Sequence, residues 1–293
     1  MSKCYLCPRA CGVDRASGER GFCNEGDEIR IARYSLHKWE EPPISGERGS
    51  GTIFFGGCNL RCEFCQNMAI SHSQSKGIQV REERFEEIIF ELVEMGAENI
   101  NLVTPTHFAH KIVQVLSRIK SKLPVPVVYN SSGYESIETI KMLDGLVDVY
   151  LPDFKYFSDE LSKKYSLASN YRASAEVAIC EMYRQVGSPV IDNRGIMQKG
   201  LIIRHLVLPS CRHDSIAVIK RIAELLPKKD YYISLMSQYT PDFARSANTP
   251  HTELHRKLTT FEYSSVLSCV QDLELDGFLQ DKSSSTADYT PNF

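Results

Sequence analysis

The 293 residues carry 34 basic and 37 acidic side chains, a net charge of −3, and neither sign gathers in long runs. Nothing in that balance points to nucleic acid or an anionic membrane surface, and no apolar stretch approaches the roughly 18 residues that span a bilayer. The first residues lack the basic and apolar regions of a secretory signal, so a cytoplasmic protein is expected, in which ten cysteines seldom pair as disulfides.

In chain order, residues 1–33 hold Cys4, Cys7, Cys11 and Cys23 among glycine, arginine and acidic residues. Large apolar side chains are too few there to fold the segment by burial. Residues 1–50 are therefore expected to be a small metal-binding module with a Pro/Gly-rich linker, Glu41 to Ser50. Residues 51–281 alternate β-branched or aromatic runs with amphipathic stretches, the pattern of parallel βα units in an α/β fold. Strands are expected at 52–55, 99–103, 125–129, 147–151, 201–208 and 231–236. Helices are expected over 82–95, 108–119 and 215–226, with two more at 159–167 and 174–185 before a hairpin near Asp192-Asn-Arg-Gly195. A Ser-rich tail, 282–293, closes the chain.

Directly after the first strand, Cys58, Cys62 and Cys65 form the pattern C-x3-C-x2-C. Three local thiolates on a cubane iron-sulfur cluster leave one iron open to a small molecule, since four thiolates complete it. The other polar groupings also follow strands: Thr104-Pro-Thr106-His107, Asn130-Ser-Ser-Gly133, Asp153-Phe-Lys155, and His205 late in the fifth strand. In parallel barrels these carboxyl ends converge on one mouth.

The run Cys58-Asn-Leu-Arg-Cys62-Glu-Phe-Cys65 resembles the signature of the radical S-adenosylmethionine (SAM) superfamily. The segment Asp153-Phe-Lys155 is similar to the Asp-x-Lys motif of enzymes that activate glycyl radical enzymes. With Cys4-x2-Cys7-Pro-Arg-x-Cys11 ahead of it, the chain resembles a pyruvate formate-lyase-activating-enzyme-like branch from Cys4 to about residue 280. The resemblance implies a partial (β/α)6 TIM-type barrel and a 4Fe-4S cluster on Cys58, Cys62 and Cys65. It also implies SAM chelated to the open iron, and reductive cleavage to a 5′-deoxyadenosyl radical that takes hydrogen from substrate.

By the same resemblance Phe64 lies against the adenine, and Asp153 and Lys155 hold the polar groups of SAM, with Asn130 and His205 as further candidates for ribose or substrate. The family's Gly-Gly-Glu-Pro after the second strand is replaced here by Val103-Thr104-Pro105-Thr106. Thr104 and Thr106 are thus candidates for accepting the SAM ammonium, since their carbonyls and hydroxyls can receive hydrogen bonds. The implied partners are a glycyl radical enzyme-type protein as substrate and flavodoxin or ferredoxin as electron donor. The alternatives are a non-catalytic iron-sulfur electron carrier, and radical modification of a small molecule or RNA.

Cys4, Cys7, Cys11 and Cys23 supply four thiolates, enough to close a zinc site or a second iron-sulfur cluster, and their spacing fits both. Thr104, Thr106 and Asn130 also suit ordinary turns. His205 equally suits a hydrogen-bonded core position, and Cys180, Cys211 and Cys269 suit burial as small apolar residues.

Overall fold

The computed structural model describes residues 3–72 and 76–280. The tail expected at 282–293 lies outside the described residues. The strands are β1 (Ile29–His37), β2 (Ser50–Phe55), β3 (Ile78–Val80), β4 (Ile100–Val103), β5 (Val127–Ser131), β6 (Val149–Pro152), β7 (Val190–Ile191), β8 (Met197–Leu206), β9 (Tyr232–Met236) and β10 (Gly277–Leu279). They form a mostly parallel sheet in the order β10-β9-β8-β6-β5-β4-β2-β1-β3, with β7 on β8. The six expected strands are β2, β4, β5, β6, β8 and β9, parallel throughout. The fold is α/β, consistent with the partial TIM-type barrel expected.

Three strands were not expected. β1 runs antiparallel to β2 and carries β3 on its other side, while β10 extends the far edge parallel to β9. β1 therefore carries the sheet across the boundary placed at residue 50. The alternation in Ile29-Arg-Ile-Ala-Arg-Tyr-Ser-Leu was hidden because a cysteine-rich reading of residues 1–33 cut the strand in two.

Helices Glu82–Glu94, Ala109–Ile119, Tyr171–Val186 and Arg212–Leu225 follow their strands as amphipathic segments. Phe85, Ile88, Ile89 and Leu92 of the first, and Ile112, Val115 and Leu116 of the second, are buried against the sheet's outward side chains. Each such side chain contributes about 1.5–3 kcal/mol on burial.

The other face of the strands forms the barrel interior. Alternation puts Val128 and Asn130 of β5, Val149, Leu151 and then Asp153 of β6, and Ile202 and Arg204 of β8 on that inner side. Ile44, in the segment after β1, is fully buried among Val128, Val149, Leu151, Met197 and Ile202. Its carbonyl accepts from Asn99 Nδ2 at 2.6 Å. The stretch expected to be a linker thus plugs the barrel at the amino ends of the strands, and the polar residues above it face a cleft.

Candidate active site

The cysteine loop is fixed before and after its thiols. β2 is buried along its whole length and leads to Gly56 and Gly57. Gly57 has φ +75°, and a Cβ there would meet the Cys23 carbonyl at 2.7 Å, so glycine lets the N-terminal backbone press against the loop. The Gly56 carbonyl accepts from His107 Nε2 at 2.6 Å, which fixes the ring tautomer. Burial lowers that imidazole to about 3, keeping it neutral. Past the loop's start, Arg61 N–H and Glu63 N–H donate to the carbonyls of Ser166 and Tyr165 at 3.2 and 2.9 Å, tying the loop to the end of helix Asp159–Ser166.

Each sulfur of the triad has a donor nearby. Cys58 Sγ accepts the Leu60 N–H at 3.4 Å, Cys62 Sγ accepts the Ser166 hydroxyl at 3.0 Å, and Cys65 Sγ lies 3.3 Å from Ser71 Oγ. Burial pushes the free Cys58 and Cys62 thiols up to about 12 and about 11. Binding iron would release those protons, as ligation requires thiolates. Among the described residues, no three of His, Cys, Asp and Glu converge as the ligands of a single ion. The donor set is what fits a cluster: three thiols on one loop, each with a hydrogen-bond partner for its sulfur, would hold a cluster that takes one thiolate per iron.

These cysteines open onto a cleft of about 220 Å³ at the carboxyl ends of the parallel strands, which Phe64, Thr104, Asn130, Asp153 and Lys155 also line. Lys155 Nζ donates to Asp153 Oδ2 at 2.6 Å, and Arg204 Nε donates to Asp153 Oδ1 at 3.2 Å. Burial alone would raise Asp153, but the two cations outweigh it and hold the carboxyl below its usual range. Arg204 also donates to Glu40 Oε2 at 3.3 Å and Asn130 Oδ1 at 2.5 Å. Glu40 Oε1 in turn accepts from Asn101 at 3.0 Å and Asn130 at 3.4 Å.

Thr104 has φ +60°, a left-handed conformation unusual for a β-branched residue. It occurs where the resembling family carries glycine. The Thr104 N–H donates to the Asn130 carbonyl at 2.8 Å, joining the two loops.

Two expected ligand residues face elsewhere. Thr106 is buried with its hydroxyl on Glu135 Oε1 at 2.7 Å, because the 3-10 turn Thr106–Phe108 rotates it away from the cleft. His205 follows the strand period to the opposite face from Arg204, with Nδ1 on the Phe154 carbonyl at 2.7 Å. Arg204 and Glu40 are the site residues that sequence reasoning missed. The alternation that buries Ile202 inside the barrel carried the signal for Arg204, and Glu40 was hidden in the supposed linker.

The family model of the radical SAM superfamily matches residues 52–200, the stretch from β2 to β8 that contains this cysteine loop. The chain belongs to the radical SAM superfamily. Membership in it brings a 4Fe-4S cluster, SAM as co-substrate and SAM-dependent radical chemistry, so the protein is an enzyme. The radical SAM chain is also 30% identical over 291 residues to the uncharacterized protein MJ0674 of Methanocaldococcus jannaschii, covering 94% of this chain and 76% of that one. Among solved structures, spore photoproduct lyase shares the fold with a TM-score of 0.56 at 8% identity, covering 85% of this chain and 79% of that one. Streptococcus suis SuiB, bound to precursor peptide SuiA, shares it with a TM-score of 0.52 at 12% identity. That likeness covers 76% of this radical SAM chain but 46% of SuiB, less than half the neighbour's length. No helix among the described residues is long and apolar enough to cross a membrane.

Proposed function

We propose that this enzyme belongs to the pyruvate formate-lyase-activating-enzyme-like branch and abstracts hydrogen from a segment of a protein partner of the glycyl radical enzyme type. The observation that carries the reading is the meeting of three thiols with Asp153, Lys155 and Asn130 in one cleft. A 4Fe-4S cluster with an open iron, when bound, supplies reductive cleavage of SAM and, through it, hydrogen abstraction.

Cys58, Cys62 and Cys65 are the ligands in this reading. Lys155 offers an ammonium to the SAM carboxylate as a charge-assisted partner. Asp153 and Asn130 offer oxygens to its ammonium or ribose hydroxyls. Arg204 and Glu40 act as positioning residues, since every hydrogen bond between them or to Asp153 and Asn130 limits the rotamers that meet SAM. Phe64 gives the apolar wall for adenine, and the burial of Phe64, Cys62, Asn130 and Asp153 limits the water that reaches the site. Trp39, 59% exposed and also lining the cleft, offers an aromatic surface at its mouth to a polypeptide. The peptide bound to SuiB supports a protein substrate, and flavodoxin or ferredoxin is the proposed reductant.

The test is anaerobic incubation of reduced, cluster-loaded enzyme with SAM. The expected result is 5′-deoxyadenosine above a Cys58→Ala control, with deuterium entering it from a partner protein labelled at glycine. Product equal to the control would leave the non-catalytic electron carrier as the reading. Deuterium acquired only from small molecules would remove the protein partner.

A further inference from the structure

Cys62 is supported from outside the cysteine loop by a hydroxyl that is itself supported. Ser166 Oγ donates to Cys62 Sγ at 3.0 Å, and Tyr156 Oη lies 2.6 Å from Ser166 Oγ. Ser166 and Tyr156 are 0% and 1% exposed, so both hydroxyls depend on protein partners. Ligation of iron fixes the direction of the two bonds. A thiolate holds no proton and only accepts, so Ser166, with a single hydroxyl hydrogen, donates to it and can only accept from Tyr156. The chain then runs one way, from the Tyr156 hydroxyl through Ser166 to sulfur, and each bond polarises the next.

Both ends of this relay are held in place. A serine within a helix commonly folds its hydroxyl back onto a carbonyl of the preceding turn, as Ser162 does toward the Asp159 carbonyl at 3.0 Å. Ser166, the last residue of helix Asp159–Ser166, turns instead toward the cysteine loop. Its own carbonyl accepts the Arg61 N–H at 3.2 Å, and the Tyr165 carbonyl accepts the Glu63 N–H at 2.9 Å. Backbone bonds on either side of Cys62 thus keep its sulfur against the hydroxyl. At the other end, the Tyr156 ring meets Tyr171 edge-on at 5.5 Å, and the Tyr171 hydroxyl accepts the Lys155 N–H at 2.9 Å. Lys155 and Tyr156 are neighbours, so one segment carries both the ammonium offered to SAM and the phenol that heads the relay.

We infer that Tyr156 and Ser166 are positioning residues that set the reduction potential of the radical cluster through Cys62, an inference that rests on reading Cys58, Cys62 and Cys65 as cluster ligands. A hydrogen bond to a ligating sulfur draws negative charge away from the iron and so favours the reduced cluster. Burial of both hydroxyls strengthens the effect, because little solvent screens it. The consequence is a cluster that its electron donor reduces more easily.

The test is redox titration of cluster-loaded protein, followed by electron paramagnetic resonance and paired with iron analysis. Ser166→Ala is expected to keep the wild-type iron content and to shift the midpoint potential of the SAM-responsive cluster negatively. Tyr156→Phe, which removes just the phenolic hydroxyl, is expected to shift it in the same direction by less. Ser166→Ala/Tyr156→Phe is expected to match Ser166→Ala, since Tyr156 reaches the sulfur only through Ser166. Ser162→Ala deletes a buried hydroxyl of the same helix whose partners are the Asp159 and Ala168 carbonyls, and is expected to leave the potential where it is. A Ser166→Ala potential equal to wild type, or a shift that Ser162→Ala reproduces, would overturn the relay while the radical site stands. A double variant whose shift is the sum of the two single shifts would remove Tyr156 from it. If Ser166→Ala loses its cluster, Tyr156→Phe decides: a negative shift supports the relay and an unchanged potential overturns it. Wild-type protein without a SAM-responsive signal would instead remove the radical site itself.

Discussion

Arg204 Nε donates to Asp153 Oδ1 at 3.2 Å, and the same guanidinium holds Glu40 Oε2 at 3.3 Å. Both carboxylates are largely enclosed, with 13% and 10% of their side chains accessible. Arg204→Met would leave Glu40 without its cation and Asp153 with Lys155 alone. A loss of about 3–5 kcal/mol in urea unfolding is expected, with part of it recovered in Arg204→Met/Glu40→Gln. A single variant as stable as wild type would mean that the network contributes nothing to the fold.

Gly133 sits where the Asn130 loop passes Asp153. It has φ +74°, and a Cβ would lie 2.0 Å from the Asp153 carbonyl oxygen. Gly133→Ala must move one loop or the other, so a cost of about 2 kcal/mol or more is expected, together with weaker SAM binding by calorimetry. Unchanged stability and affinity would show that this close approach is dispensable.

Thr104 tests the reverse case. Its left-handed backbone, φ +60°, costs a non-glycine residue about 1–2 kcal/mol, whereas glycine loses about 0.5–1 kcal/mol through backbone entropy. Thr104→Gly is therefore expected to unfold at equal or higher denaturant, by up to about 1 kcal/mol. A clear loss of stability would mean that the Thr104 side chain makes a contribution larger than its strain.

Glu135 governs a pH dependence. Burial raises its carboxyl from 4.5 to about 8, against the lowering effect of hydrogen bonds from Thr106, Ser131 and Tyr129. The folded state keeps this proton where the unfolded chain has lost it. Its stabilising contribution is thus complete below about pH 4.5 and is lost as pH rises through about 8. Denaturant titrations across that window should show wild-type stability falling more steeply than that of Glu135→Gln. Parallel pH profiles would remove Glu135 as the cause.

The parallel core of the barrel was legible in the sequence because β2, β4, β5, β6, β8 and β9 are short apolar runs separated by amphipathic helices. The cysteine loop and Asp153-x-Lys155 were legible as local motifs. Thr106 and His205 fall outside the cleft: a motif gives position along the chain, not which way a turn or a strand points the side chain. His205 and Arg204 are neighbours, and only the register of β8 decides which one faces the cleft. Glu40 was unreadable for a different reason. Its partners Asn101, Asn130 and Arg204 come from three separate strands, and nothing local announces that Glu41-Pro-Pro-Ile44 plugs the barrel beneath them.

The proposed radical chemistry depends on one iron left open by just three protein thiolates, those of Cys58, Cys62 and Cys65. Electron paramagnetic resonance of the reduced, cluster-loaded enzyme, recorded with and without SAM, addresses that iron directly. A 4Fe-4S signal that responds to SAM is expected in wild type, and no SAM-responsive signal in the Cys58→Ala/Cys62→Ala/Cys65→Ala variant. A wild-type spectrum indifferent to saturating SAM would contradict an open iron.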